Sequence, residues 1–340
     1  MAKSNKDKTI ADALQHCLDE QEPKKKLLPI EMANLAYTVL TLLLTFVLWG
    51  GIDAPVLRVV ERLAIIGMTY LLWFFSQKKP CPLTRFVRNI FPVLLITFWY
   101  PDIFHYCSVF PNMDHIIALA EQTLFDYQPS QEFFKTMPEK FWSELFYMGY
   151  FSYYVMIVLG IVMPLTISRR LFEKTAFIII ASFLLYYVIF LFMPVAGPQY
   201  YFEYVNLAEI KMDYYPPLND FFRTHIELNN SVGEPGFFHS LVDIVQRAGE
   251  RPIAAFPSSH VGIGTILMIV FFKHFRRLSY FLMPFYILLC FSTVYIQAHY
   301  LIDVYAGLFT APLFYIITRF IYKRLHVKEK HHSHHQSSHK

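Results

Sequence analysis

The chain has 340 residues and a formal net charge of +4, and 55% of its residues are hydrophobic. Its mean hydropathy of +0.35 lies above the range of ordinary soluble domains, which are therefore excluded. The basic residues occur in short clusters beside apolar runs rather than along one stripe, so the composition also argues against a nucleic-acid-binding protein.

Eight apolar stretches are long enough to cross a bilayer, which takes about 20 mainly apolar residues. The second is the least regular, because Arg58, Glu61 and Arg62 fall in its first turns. The sequence thus predicts an all-α polytopic membrane helix bundle with about eight transmembrane helices. The stretches lie at about residues 29–50, 57–76, 86–107, 142–166, 175–195, 257–273, 278–297 and 299–322.

Basic clusters occur before the first stretch, in every second connection and after the last stretch. By the positive-inside rule, these clusters mark the cytoplasmic side of the membrane. We therefore expect cytoplasmic N and C termini, and we expect the long connection at residues 196–256 on the opposite side, with one short helix near 238–248. The clusters are Lys24, Lys25 and Lys26; Lys78, Lys79, Arg85 and Arg88; Arg169, Arg170 and Lys174; Lys273, Arg276 and Arg277; and Arg319, Lys323 and Arg324.

Composition divides the chain into four parts. Residues 1–28 form a polar tail without the features of a cleavable signal peptide, and residues 29–110 hold the N-terminal transmembrane helices. Residues 111–325 form the main helix bundle, and residues 326–340 form a His-rich tail that we expect to be disordered. Within the bundle, the segment 112–140 either lies flat at the membrane surface or packs as a loop over the helices.

Two histidines stand at the edges of apolar stretches. His260 ends the run Phe256-Pro257-Ser258-Ser259-His260, and His299 is followed four residues later by Asp303. A single histidine at a helix end is more often structural, but ionisable groups in this pattern are functional candidates. Residues four apart share a face of a helix, so Asp303 would accept a hydrogen bond from Nδ1 of His299 and leave Nε2 free as nucleophile or base.

These segments resemble two of the three signature motifs of the type 2 phosphatidic acid phosphatase superfamily. The resemblance rests on Pro257-Ser258-Ser259-His260 and on His299 with Asp303, and it covers about residues 140–322. Three further runs are similar to the inositol phosphorylceramide synthase branch: Ser292-Thr293-Val294-Tyr295, Ala306-Gly307 and Ala196-Gly197-Pro198-Gln199-Tyr200-Tyr201.

The resemblance implies a six-helix catalytic core to which N-terminal helices are added, and a reaction through a phosphohistidine. His299 would be the nucleophile, Asp303 would orient it, and His260 would be the general acid on the leaving group. Neither a metal ion nor a cofactor is implied.

Two positions depart from the pattern of the phosphatases. Thr293 stands where an arginine usually follows the serine that opens the third motif. The lysine of the first motif is not visible, because the residue seven before the Arg251-Pro252 pair is Ile244. Another group must therefore balance the charge of a phosphate.

Four residues are candidates for phosphate binding. Ser258 and Ser259 lie at the expected N-terminus of a helix, where free backbone N–H groups and the helix dipole favour an anion. Arg251 supplies a nearby positive charge, and Gln297 supplies a neutral donor two residues before His299. The resemblance adds three candidates for the substrate pocket, which are Gly197, Pro198 and Tyr200.

We therefore interpret the sequence as that of an integral-membrane lipid phosphatase or phosphotransferase. It would act on a phospholipid or lipid-phosphate head group at the non-cytoplasmic leaflet of a bacterial inner membrane or a eukaryotic secretory-pathway membrane. The expected partner is a lipid in the bilayer, with no nucleic acid, and the sequence sets neither the lipid nor the oligomeric state.

Three alternatives remain at this point. One is an inositol phosphorylceramide synthase-like head-group transferase with a lipid alcohol as acceptor. Another is a non-catalytic lipid-binding scaffold, motivated by the missing arginine and lysine. A transporter is disfavoured, because the inverted repeats and broken helices typical of transporters are not visible.

Overall fold

The computed structural model describes residues 26–205, 214–228 and 231–337, with side chains described up to residue 325. These residues form helices without a β-strand, as predicted, and one isolated bridge joins Val195 to Ala254. The helices are α1 (Pro29–Val47), α2 (Pro55–Lys78), α3 (Pro82–Asp102), α4 (Phe104–Cys107), α5 (Asp114–Phe125), α6 (Pro129–Thr136), α7 (Lys140–Val162), α8 (Arg169–Phe192), α9 (Pro198–Tyr204), α10 (Phe237–Gly249), α11 (Ser259–His274), α12 (Arg276–Tyr295) and α13 (Leu301–Ser337).

Seven of the described helical segments are long and apolar enough to cross a membrane, which confirms a polytopic bundle. They are α1, α2, α3 together with α4, α7, α8, α12 and the first 25 residues of α13. Helix α11 is apolar but has only 16 residues. At 1.5 Å per residue it is about 24 Å long, short of the roughly 30 Å hydrocarbon core. The eight predicted apolar stretches thus correspond to seven long helices and this shorter apolar one.

The charges that interrupt the second apolar stretch are paired inside the bundle. Arg62 is fully buried and forms an ion pair with Asp102 of α3, and Arg58 lies 3.5 Å from the same carboxylate. Glu31 of α1 accepts a hydrogen bond from Arg88 of α3 at 2.7 Å. Because a buried charge is tolerated only with a partner, these ion pairs fix how the three N-terminal helices pack.

Helices α7, α8, α11, α12 and α13 pack around one apolar core. Helix α11 contacts both α12 and α13 closely. A Cβ atom added at Gly307 of α13 would lie 2.6 Å from the carbonyl oxygen of Ser258, and one added at Gly262 would overlap the hydroxyl group of Tyr186. The absence of a side chain at Gly307 lets the backbone of α13 approach the start of α11, and its absence at Gly262 leaves room for Tyr186 of α8.

Residues 112–140 pack over the bundle as two helices rather than as a loop. Helix α5 contacts α13, and α6 contacts α12. Asp114 and Glu121 of α5 are fully buried. They are buried because their carboxylates bind backbone N–H groups of other segments.

The long connection at residues 196–256 holds α9, a 3-10 turn at Phe221–Arg223 and α10. Helix α10 spans Phe237–Gly249, which confirms the short helix predicted near 238–248. Residues 206–213 and 229–230 of this connection, and residues 1–25 of the polar tail, lie outside the described part of the chain.

The last helix extends beyond the membrane-spanning stretch. Helix α13 continues to Ser337, so residues 326–337 are helical. The sequence after Pro312 contains no glycine or proline up to that point, and nothing in it interrupts the helix.

Removal of the Asp102 carboxylate should destabilise the N-terminal helices. The variant Asp102→Ala leaves the guanidinium of Arg62 buried without its main partner, which typically costs about 3–5 kcal/mol. Thermal unfolding in detergent measures this effect. The double variant Arg62→Met/Asp102→Ala should recover most of the loss, because it removes the unpaired charge.

The exposed ion pair between Glu132 and Lys135 provides the control. Glu132→Ala should change the free energy of unfolding by less than about 1 kcal/mol. Equal losses in Asp102→Ala and Glu132→Ala would contradict a structural role for the buried pair.

Candidate active site

The structure brings His260 and His299 into direct contact. His260 is the second residue of α11, whose N-cap Ser258 accepts a hydrogen bond through Oγ from Val261 N at 3.3 Å. His299 lies in the short connection between α12 and α13. Nδ1 of His260 is 3.2 Å from Nε2 of His299, and the ring centroids are 5.4 Å apart. Two segments distant in sequence thus form one site.

Hydrogen-bond geometry assigns a proton to each ring. Nδ1 of His299 is 2.8 Å from the carbonyl oxygen of Ala255, which can only accept, so Nδ1 carries the proton. The lone pair of His299 is then on Nε2, and Nδ1–H of His260 donates to it. His299 is 3% exposed, and its burial lowers its pKa to about 4, so the ring is neutral near pH 7.

The ring of His260 is held between aromatic side chains. Its centroid lies 4.7 Å from that of Tyr150 and 4.6 Å from that of Tyr153, both on α7. Such contacts restrict the rotation of the imidazole. His260 therefore presents Nδ1 to His299 in a defined orientation.

Asp303 lies beside His299, as the spacing predicts, but not on the same helix. His299 precedes α13, which begins at Leu301. Oδ2 of Asp303 accepts a hydrogen bond from Tyr300 N at 2.8 Å and lies 3.5 Å from Nδ1 of His299. The shorter contact of Nδ1 is its hydrogen bond to the carbonyl oxygen of Ala255 at 2.8 Å, and the Asp303 carboxyl group lies within reach of the same nitrogen.

Backbone hydrogen bonds join the two histidine segments. Ser258 N donates to the carbonyl oxygen of Asp303 at 3.0 Å, and His299 N donates to that of Thr293 at 3.0 Å. Thr293 is fully buried and donates through its hydroxyl to Cys290 O. Thr293, which replaces the usual arginine, is thus hydrogen-bonded to the backbone of its own helix.

A pocket opens at the histidine pair. Of the predicted site residues, it is lined by His260, His299, Arg251 and Tyr200. Its remaining lining consists of Tyr100, Tyr150, Ala196, Gln199, Glu250, Ala254, Ala255 and Ala298. The pocket therefore contains one guanidinium, one carboxylate and two imidazoles.

Six predicted residues lie outside this lining, which are Asp303, Ser258, Ser259, Gln297, Pro198 and Gly197. Ser258 and Ser259 are buried at the start of α11, where Ser258 caps the helix. Gln297 has a positive φ of 63° and donates through Nε2 to Ser130 O at 3.3 Å, so its side chain serves α6 instead of a phosphate. Pro198 is the first residue of α9.

Gly197 packs closely against Ala298, which lines the pocket. Its φ of +95° lies in the region that favours glycine, and a Cβ atom there would lie 2.7 Å from the carbonyl oxygen of Ala298. The buried carboxylate of Asp114 accepts hydrogen bonds from Ala196 N, Gly197 N and the hydroxyl of Tyr300. One side chain of α5 therefore joins the pocket wall to the residue that follows His299.

Glu121 performs a similar task about two turns further along the same face of α5. Oε1 of Glu121 accepts hydrogen bonds from Leu301 N at 2.6 Å and Ile302 N at 3.3 Å, which are free donors at the start of α13. Burial, together with the nearby Asp303 carboxylate, raises the pKa of Glu121 to about 8. This carboxyl group caps the helix that carries Asp303.

Sequence reasoning missed Asp114, Glu121, Glu250, Gln199 and Tyr150. Asp114 and Glu121 are seven residues apart, a spacing that places both on one face of a helix, and this was a signal that they act together. The other three carry no pattern in the sequence, because they meet only through the packing of α7, α9 and the end of α10.

The raised pKa of Glu121 predicts a specific pH dependence of stability. Between the ordinary value of 4.5 and about 8, the folded chain binds more protons at this site than the unfolded chain. The free energy of unfolding should therefore fall as pH rises across this interval. Glu121→Gln keeps a side-chain oxygen acceptor for Leu301 N but does not titrate, so it should show a shallower decline.

The measurement is the melting temperature in detergent of both proteins from about pH 5 to pH 9. Asp114 and Glu250 are also buried carboxyl groups, with a raised pKa that comes from their burial. They titrate in both proteins, so the difference between the two curves isolates Glu121. Parallel curves would show that Glu121 ionises as freely in the folded chain as in the unfolded one.

Comparison with known proteins assigns the chain to a family. The sequence model of the PAP2 superfamily matches residues 114–317, which include the buried carboxylates of α5 and both histidine segments. Comparisons with curated proteins and with solved structures give no match. The match covers more than half of the chain, and on this evidence the chain belongs to the PAP2 superfamily, the type 2 phosphatidic acid phosphatases and their relatives.

Proposed function

We propose that the protein takes a phosphate-linked group from a membrane lipid and passes it to water or an alcohol through a phosphohistidine at His299. The 3.2 Å contact between Nδ1 of His260 and Nε2 of His299 carries this proposal. It places the lone pair on Nε2 of His299 next to the proton on Nδ1 of His260 in one pocket. A nucleophile and a general acid need this juxtaposition.

The first half of the reaction uses both nitrogens. Nε2 of His299 attacks phosphorus, and the bond from phosphorus to the leaving oxygen breaks. For this step His260 must be an imidazolium, a form that the negative charge of the entering phosphate favours. The leaving oxygen takes one proton from it, so His260 becomes neutral and no charged alkoxide is released. The phosphate must enter between the rings, and the hydrogen bond between them is replaced by contacts with the substrate.

The second half returns the site to its starting state. An acceptor hydroxyl attacks phosphorus, its proton passes to His260, and the bond from phosphorus to His299 breaks. Water as the acceptor makes the enzyme a phosphatase, and a lipid alcohol makes it a phosphotransferase. The similarity of Ala196-Gly197-Pro198 and Ser292-Thr293 to the inositol phosphorylceramide synthase branch supports the second outcome.

The charges near the histidines support a phosphate ligand. Arg251 lines the pocket, and α11 begins one residue before His260, so its free N–H groups and dipole are nearby. As His299 becomes bonded to phosphorus, its ring gains positive charge. The Asp303 carboxylate, 3.5 Å from Nδ1, stabilises that charge.

The site is assigned to the non-cytoplasmic leaflet. The alternation of basic clusters supports cytoplasmic termini, and it puts the start of α11 and the connection between α12 and α13 on the opposite side. The helices α5, α6, α9 and α10 belong to connections on that same side. This proposal fits a substrate whose head group is exposed outside the cytoplasm.

Substitution of the two histidines should separate their roles. His260→Ala should lower turnover of a lipid phosphate about a hundred- to ten-thousand-fold, because the leaving alkoxide loses its proton donor. With an aryl phosphate such as p-nitrophenyl phosphate, whose leaving group needs no proton, the loss should be much smaller. His299→Ala should remove activity toward both substrates.

Size-exclusion profiles of the variants in detergent verify that each is folded. Equal losses for His260→Ala on the lipid and aryl substrates would contradict its role as general acid. Full activity of His299→Ala would contradict the nucleophile. A folded wild-type protein without turnover on any lipid phosphate, with ceramide or diacylglycerol present as acceptor, would favour the scaffold.

A further inference from the structure

The pocket holds two opposite charges that are not paired with each other. Glu250 and Arg251 are neighbours in sequence and both line the pocket beside the histidines. Nη1 of Arg251 donates to the backbone carbonyl oxygen of Glu250 at 2.8 Å rather than to its carboxylate. The positive charge of Arg251 is therefore left available to a ligand.

The Glu250 carboxylate is held in place by neutral donors from three helices. Oε1 accepts from the hydroxyl of Tyr150 at 2.8 Å. Oε2 accepts from Nε2 of Gln199 at 3.3 Å and from Nε2 of Gln246 at 3.2 Å. Within the described part of the chain, no ion pair joins this carboxylate to a lysine or arginine.

Such a carboxylate is poorly compensated. Neutral dipoles orient it, but they do not cancel its charge, and burial of an unpaired charge is costly. Because the carboxylate is fixed by α7, α9 and α10, it cannot turn away to solvent. A phosphate with no positive group of its own would meet this negative charge when it entered the pocket.

A ligand with both charges avoids that conflict. Its phosphate would lie by Arg251 and the histidines, and its cation would lie by Glu250. A carboxylate has about four lone-pair sites, and three hydrogen bonds leave capacity for one more donor, such as an N–H group of an ethanolamine ammonium. A quaternary ammonium such as choline would be attracted by its charge alone. Either cation would stabilise the ionised carboxylate and so oppose the burial that raises the pKa of Glu250.

We propose that the pocket selects phospholipids with a zwitterionic head group, whose ammonium lies against Glu250 while the phosphate lies between Arg251 and the histidine pair. This inference rests on the proposed function, since it names the substrate class of the same site. Electrostatic complementarity of this kind discriminates between ligands of equal size. Ethanolamine and choline head groups fit it, whereas glycerol, inositol and free phosphate do not.

The test compares head groups in mixed micelles with the full chain. Wild-type protein should show a higher kcat/KM with phosphatidylethanolamine or phosphatidylcholine than with phosphatidylglycerol, phosphatidylinositol or phosphatidic acid. Glu250→Gln should lower the ratio of zwitterionic to anionic kcat/KM at least about tenfold, the effect of one weak charge contact. The change should lie mainly in KM.

The exposed Glu132→Gln variant is the matched control, because it removes one negative charge that does not line the pocket, and it should leave the ratio unchanged. If Glu250 had only a structural role, the Glu250→Gln variant would lose activity equally on all of these lipids. That result, or a wild-type preference for anionic lipids, would overturn the inference.

A binding measurement requires neither a folded Glu250 variant nor turnover. Phosphoethanolamine and phosphocholine should bind the wild-type protein more tightly than glycerol phosphate, measured by titration calorimetry in detergent. Equal affinities would overturn the inference. A protein that shows this binding preference but no turnover would contradict the proposed function and still support the head-group selectivity. Failure of the proposed function and failure of the inference therefore give different results.

Discussion

The structure of the site depends on the hydrogen bond between Nδ1 of His299 and the carbonyl oxygen of Ala255. It fixes the tautomer of His299, and the tautomer decides that Nε2 has the lone pair facing His260. Ala255 is itself held, because its N–H donates to Val195 O at 2.9 Å. The reactivity of Nε2 in His299 therefore depends on a backbone hydrogen bond between Val195, just after α8, and Ala255, just before α11.

Buried carboxylates outside the chemistry keep this arrangement together. Asp114 joins the Gly197 turn to Tyr300, and Glu121 caps α13 at Leu301. Both come from α5, which lies over the bundle and does not cross it. A helix of 12 residues thereby controls where the connection after α12 is placed. Charged side chains at such depth are costly, and their hydrogen bonds to backbone N–H groups offset that cost.

Much of the architecture could be predicted from the sequence. The apolar stretches are long, and the two histidines stand in segments with recognisable spacing. The spacing of His299 and Asp303 predicts that the two side chains are close, and Oδ2 lies 3.5 Å from Nδ1. The hydrogen bond to Ala255 could not be predicted, because the spacing rule assumes one continuous helix and α13 begins only at Leu301. Likewise, Gln297 looks like a free donor in sequence, but its left-handed backbone directs it to Ser130.

The remaining residues of the pocket are set by tertiary contacts alone. Glu250 follows an amphipathic helix, a position at which a charged side chain is usually solvated. Its hydrogen bonds with Tyr150, Gln199 and Gln246, which only the structure shows, hold the carboxylate inside the protein instead. The missing arginine at Thr293 has a related explanation. The threonine is buried against its own helix, while the cation of the pocket comes from Arg251 in another segment.

The most direct measurement is the identification of the covalent intermediate. Rapid quenching of the wild-type protein during turnover, followed by tandem mass spectrometry under alkaline conditions that preserve phosphohistidine, locates the phosphorylated atom. The account predicts a phosphate-linked group on the peptide that contains His299, absent from His299→Ala. Modification at His260 or another residue, or turnover with no phosphorylated His299 at any quench time, would contradict it.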